Sequence, residues 1–404
     1  MAEFFESRKL RYEIHARCEK RWQIAEIVGD GREQLGGRFG RTNFEEIERA
    51  VLSKANALLA GGDVEAVRVT RDRVRADGFT TTSEIFFKES TGGKSEPPLT
   101  VGRHDGAVPV CAEPTDFYAR PACKIIGTIL RSFLDRQFIT SLELLHFHPY
   151  IRKLNDNNYT LVQGAIHQIG SAQAKAAGED VKSRANKLHG LIEAVETQAR
   201  EALAMKDLPA IEKGDYRAFA GRIATRYQGD QCRYFTMVAL ARHFQGASSF
   251  LARLDFVLDN LGVEQSADSR ALLDCLAADC LDSSQLVVDL LGHQPNLAAA
   301  LGTLSELARG EGDAGKSDDS LAKLRRLIGE GALPVSADCL WDRVLRELNR
   351  GRSLSRTDEK QEWNLLMKLS DRLLANCPGE RRGSVETAVK ERMRRLRDAA
   401  LLRD

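Results

Sequence analysis

The spacing of apolar residues changes period along this chain. From Arg11 to Arg17 polar and apolar residues alternate, which puts Tyr12, Ile14 and Ala16 on one face of a strand. Trp22 to Val28 follows after a short polar break as its hairpin partner. Asn43 to Glu46 has the form of a capping box; Phe44, Ile47, Val51, Ala55, Leu58 and Leu59 then recur at helical spacing until Gly61-Gly62. Val64 to Val74 and Thr82 to Glu89 return to strand character around Asp77-Gly78. These elements predict a ββαββ unit over residues 1–90, a small sheet with one helix laid across it.

Residues 91–120 carry no period. Half of the chain's ten prolines stand between Ser90 and Pro121, together with Gly92, Gly93, Gly102 and Gly106. Such a stretch predicts a linker, or an extended arm lying on a neighbour.

From Phe117 onward the pattern is helical. Ile125, Ile126, Ile129, Leu130, Phe133, Leu134 and Phe138 form the stripe of a helix with one buried face. Thr140 with Glu143 is a capping box that starts the next helix, and Pro149 ends it. Long amphipathic stripes follow over Tyr159–Ala177 and Asp180–Met205, then further segments from Pro209–Tyr227 to Pro295–Arg309. A Gly/Asp-rich break, residues 310–319, precedes four more, ending in Ser384–Arg403. The fold class is therefore α+β and predominantly α. A helical domain over 121–309 is joined by a flexible loop to a C-terminal helical segment, 320–404, packed on the preceding helices. No fixed repeat period marks a solenoid family.

Composition narrows the function classes. The 43% hydrophobic and 29% charged residues are those of a soluble globular protein, and no apolar run approaches a membrane span. Fifty-nine basic against fifty-eight acidic residues give a net charge of +1, so nothing chain-wide draws it to nucleic acid or membrane. The N-terminal residues lack a signal peptide's basic and apolar regions. Eight scattered cysteines contain no CxxC pair, which argues against zinc ribbons and thioredoxin-like redox sites. A reducing cytoplasm with free thiols is the expected setting.

Several motifs invite chemistry. Gly310, Gly315, Lys316 and Ser317 satisfy the phosphate-loop pattern, in which backbone N–H groups at a strand-to-helix turn cradle phosphates. A predicted helix precedes this segment instead, and Asp313, Asp318 and Asp319 would repel a triphosphate, so the match reads as a false positive. Gly92-Gly93-Lys94-Ser95 and the glycines from Gly29 to Gly40 lack the context such sites need. Glu143 and His146 have the i, i+3 spacing of carboxylate-bridged metal bundles, with His148 near, but no second Glu-x-x-His exists. These three are weak metal candidates, and packing or helix capping is the competing reading. Cys275 and Cys280 read as small buried hydrophobes. Between Glu380 and Asp404 eight Lys or Arg stand against five acids, around a stripe of Val385, Ala388, Val389, Met393 and Leu396.

No catalytic constellation emerges, and neither a cofactor nor a metal is expected. The function class that follows is a non-catalytic interaction, scaffold or regulatory protein acting through its helical body, with protein partners or a second copy of itself. The alternative is an enzyme or ligand- or metal-binding protein with a pocket between helices, around His146, His148 and His167. A third, less favoured, is an anionic partner or nucleic acid on the basic C-terminal helix.

Overall fold

The computed structural model describes residues 9–18, 21–28, 42–60, 64–74, 80–89, 99–104, 106–212, 215–247, 249–261, 266–312, 319–355 and 361–401. The chain divides into two compact units, Met1–Pro98 and Leu99–Asp404.

The first unit is the expected ββαββ arrangement: β1 (Lys9–Cys18), β2 (Arg21–Val28), α1 (Thr42–Ala60), β3 (Ala66–Val74) and β4 (Thr80–Glu89). The strands form an antiparallel sheet in the order β2-β1-β3-β4. Ile14 pairs with Glu26 on one side and Val69 on the other. The period-two alternation sends Tyr12, Ile14 and Ala16 to the face where Val67 and Val69 meet Val51, Ala55 and Leu59 of α1. The glycine cluster at 29–40 and the Gly92–Ser95 fragment lie outside the described residues.

In the second unit the described elements are helices, with one continuous apolar core running from Cys111 to Val389. Its first half holds α2 (Arg120–Ile129), α3 (Arg131–Gln137), α4 (Ser141–His146), α5 (His148–Asn157), α6 (Tyr159–Ala177), α7 (Val181–Ala204), α8 (Tyr216–Ala224) and α9 (Gly229–His243). Then come α10 (Phe250–Leu261), α11 (Ala267–Leu281), α12 (Ser284–Leu291), α13 (Leu297–Leu307), α14 (Asp319–Gly329), α15 (Pro334–Asn349), α16 (Glu362–Asn376) and α17 (Arg382–Leu401). Helix α6 pairs with α7, α11 with α10 and α15, α13 with α16, and α17 packs on α15 and α16.

Residues 99–104 and 106–113 run as an extended arm over the helices, with Leu99, Val101 and Val108 packed on the core and Cys111 buried in it. Gly102 donates its N–H to the Ile129 carbonyl at 2.7 Å. A Cβ there would lie 2.1 Å from the Thr128 carbonyl oxygen, so only glycine permits this approach.

That contact explains a departure from the sequence pattern. The stripe from Ile125 to Phe138 predicts one helix, but the helix breaks at Leu130 into α2 and α3. The arm occupies the Ile129 carbonyl, and Phe133 N–H turns back to Leu130 instead. Pro149 marks a boundary as expected, but from the far side: it stands in the first turn of α5, where its missing N–H costs nothing. Helix α5 itself went unread because Ile151 and Leu154 are its only fully buried apolar residues. The helix expected over Pro209–Tyr227 is confined to Tyr216–Ala224, because Asp215 caps it by accepting from Ala218 N–H at 2.9 Å.

Candidate functional site

The residues that looked chemically suggestive are, for the most part, holding helices in place. The capping box forms: Glu143 N–H donates to Thr140 Oγ1 at 3.1 Å, and Thr140 N–H to Glu143 Oε2 at 2.9 Å. The same carboxylate takes Arg253 Nε at 2.9 Å, with both side chains fully buried. Burial pushes the Glu143 carboxyl up, and Arg253 and the Thr140 hydrogen bonds oppose the push. His146 hydrogen-bonds the Leu142 carbonyl through Nδ1 at 2.7 Å and packs in a triangle with the rings of Tyr118 and Tyr234, at 4.7 and 5.0 Å. Desolvation pushes its pKa down to about 4. His148 faces Glu196 at 3.6 Å, and His167 is exposed on α6. The three histidines are thus put to separate uses, and none lines either cavity described below. Among the described residues no group of three or more His, Cys, Asp or Glu is arranged to hold a metal ion.

The phosphate-loop pattern begins on a helix end. Gly310 has φ +75°, its N–H donates to Leu307, and Glu311 N–H donates to Glu306, the bonding of a Schellman stop after α13. A Cβ on Gly310 would meet the Gly329 nitrogen at 2.3 Å, so this glycine is spent on a contact with the end of α14. Gly315, Lys316 and Ser317 lie outside the described residues.

The basic C-terminal helix is docked. Val385, Ala388 and Val389 are buried, and so is Arg392. The Arg392 guanidinium donates to the carbonyls of Glu347, Leu348 and Arg350, which α15 leaves unsatisfied at its end, to Arg352, and to Glu362 at 3.1 Å. Arg394 pairs with Glu391 and Asp398 on its own helix.

Two cavities lie among the described residues of this unit. The smaller, about 60 Å³, lies beside Tyr118 and brings Cys123, Cys275 and Cys339 together with charged groups from α2, α9, α11 and α15 and with Asp282 just after α11. Most of those charges are structural. Asp279 accepts from Leu142 N–H at the start of α4, and Asp274, on α11 but outside the lining, accepts from the Val335 and Ser336 N–H groups at the start of α15. Asp282 bridges Arg131 at 2.6 Å and Arg346 at 2.8 Å, and these guanidiniums hold its carboxyl below the usual range against desolvation. Burial pushes all three thiols up, so they are poor nucleophiles at neutral pH.

The larger cavity, about 140 Å³, lies between α2, α5, α6 and α7, with α4 behind it. Ile125, Ile129, Leu145, Ile151, Ile166 and Leu188 are representative of its lining, and Asn155 and Gln173 are its only polar side chains apart from the Cys111 thiol. Asn155 turns its amide to Glu196 at 2.9 Å, and Gln173 turns its own to the Pro109 carbonyl at 2.6 Å. The space is therefore apolar, with no acid, base or activated nucleophile facing it; desolvation raises the Cys111 thiol too. Sequence reading missed it because its lining is drawn from positions 108 to 195, each an ordinary core residue in its own helix. Within that span, Gln173 and Arg184 sit on predicted helices and give no sign in the sequence of being buried.

Among the described residues no helix is long and apolar enough to cross a membrane. No protein-family model, curated protein or solved structure matches the chain.

Proposed function

We propose that this chain is a non-catalytic binding protein whose helical body takes a small apolar ligand into the cavity between α2, α5, α6 and α7. The observation that carries this reading is the lining: about 140 Å³ bounded almost wholly by aliphatic side chains. Cavities near 150 Å³ lined in this way stay dry and take up benzene or xenon, because water there has no partners. A ligand gains the dispersion contacts that the empty space forgoes. Regulation fits as the consequence, since a ligand that binds only the folded body shifts its stability. Seven of the eight cysteines are seen as free thiols, which supports placing the protein in a reducing cytoplasm. A protein partner is the second reading, favoured by Trp363 and Met367, exposed one turn apart on α16.

The test is thermal unfolding of the full chain with benzene, and xenon binding followed by xenon NMR. Benzene at ten times its dissociation constant adds about 1.4 kcal/mol, and Ala165→Leu, which fills the cavity, abolishes the response. An unchanged melting curve with benzene and no bound xenon would sink the proposal.

A further inference from the structure

We infer that the arm segment Val108–Cys111 is the gate of the apolar cavity, latched by Gln173 and Arg184. The inference rests on the ligand reading for its purpose but on different observations for its geometry.

The walls of the cavity differ in how easily they part. Phe117 lies in a 3₁₀ turn and Leu130 at the α2–α3 junction; of the remaining lining, only Val108, Pro109 and Cys111 lie outside helices. Parting two helices disrupts packing along their whole length, whereas lifting the arm leaves every helical backbone ladder intact. The arm at this point is thin. Pro109 and Val110 are exposed, and only Val108 and Cys111 reach inward.

What holds it is a pair of buried side chains. Gln173 is 1% exposed and Arg184 3%. Arg184 Nε donates to Gln173 Oε1 at 2.9 Å, which orients the amide so that Nε2 donates to the Pro109 carbonyl at 2.6 Å. The Arg184 guanidinium also donates to the Cys111 carbonyl. The Gln173 amide also reaches Cys111 Sγ at 3.5 Å. The two bonds to oxygen end on backbone carbonyls, which water can satisfy as soon as the arm lifts. The arm is tethered separately upstream, where Ser132 and Thr100 exchange hydrogen bonds at 2.8 and 3.1 Å. Downstream, the Ala112 and Glu113 N–H groups donate to Asp116 Oδ2 at 2.7 and 2.9 Å, so the segment between the two tethers can bow outward without losing its register.

Cys111 makes the motion measurable, since it is buried beneath the arm while Cys280 is buried in the core of α11. The full-length protein is treated with N-ethylmaleimide, and alkylation at each thiol is followed by peptide mass spectrometry. Local opening exposes Cys111 alone, so it reacts at least about tenfold faster than Cys280, which waits for global unfolding. Gln173→Leu speeds Cys111 several-fold further and leaves Cys280 within about twofold. Equal rates at the two thiols in the unaltered protein, a measurement that needs no variant, would overturn the gate. So would a Gln173→Leu protein in which both thiols accelerate together. Saturating benzene slows Cys111. If Cys111 opens selectively and answers to the latch but benzene neither binds nor slows it, the gate stands and the ligand reading falls.

Discussion

Arg253 on α10 meets Glu143 on α4 at 2.9 Å, with side chains 1% and 0% exposed. The remaining guanidinium donors go to the Ala247, Ser249 and Phe244 carbonyls, so one arginine ties the capping box of α4 to the turn between α9 and α10. Removing one partner leaves the other charge buried without a counterion. Glu143→Ala is expected to destabilise the protein by about 3–5 kcal/mol, measured by denaturant unfolding. Glu143→Gln, which keeps a hydrogen-bond acceptor, should lose less. A Glu143→Ala protein as stable as the parent would show that the pair is dispensable.

His146 predicts a pH dependence. Its folded pKa is about 4 against 6.5 for the free group, so the unfolded chain binds more protons between those values. The stability from keeping it neutral is complete above pH 6.5 and lost as pH falls toward 4. Between pH 7 and 5 the loss is about 2 kcal/mol. His146→Phe should remove that part of the slope, and equal slopes in the two proteins would refute the assignment.

Arg392 and Arg394 are two residues apart on α17 and should behave as opposites. Arg392→Ala deprives the end of α15 and Glu362 of their buried donor and is expected to cost about 3 kcal/mol. Arg394 is solvent-exposed, and Arg394→Ala should leave thermal melting nearly unchanged. The reverse order would mean that α17 is not docked through this guanidinium.

Gly310→Ala places a methyl group against the Gly329 backbone at a left-handed φ, and a loss of about 1–3 kcal/mol is expected. Magnesium–ATP should leave the melting temperature of both proteins where it was. A nucleotide-dependent rise in the parent would restore the phosphate-loop reading.

How much of this was legible in the sequence depends on what each residue had to reveal. Tyr12, Ile14 and Ala16 announced a strand by period alone, and Thr140 with Glu143 announced a helix start, because both signals are local. The break at Leu130 was invisible, since it is imposed by Gly102 from elsewhere in the chain. Arg184, Arg253 and Arg392 are buried, and nothing in the sequence around them says so. Their partners are backbone carbonyls and carboxylates up to 110 residues away, and spacing carries no trace of such pairing. The cavity is harder still. It is a shortfall of packing, and no residue type encodes space that its neighbours fail to fill.

Asp279 on α11 and Asp282 just after it have a consequence for how the chain comes off the ribosome. Asp279 caps α4 through Ser141, 138 residues upstream, and Asp282 then waits for Arg346. At about 5–20 residues per second, roughly ten seconds separate the emergence of α4 from that of the carboxylate that caps it. For that interval the N-terminal half of the helical unit is a set of nascent helices without its final anchor, the stage at which a chaperone would find apolar surface to hold. A nascent chain stalled before Ala267 should accordingly be cut by protease within α4, and one carried past Asn349 should resist.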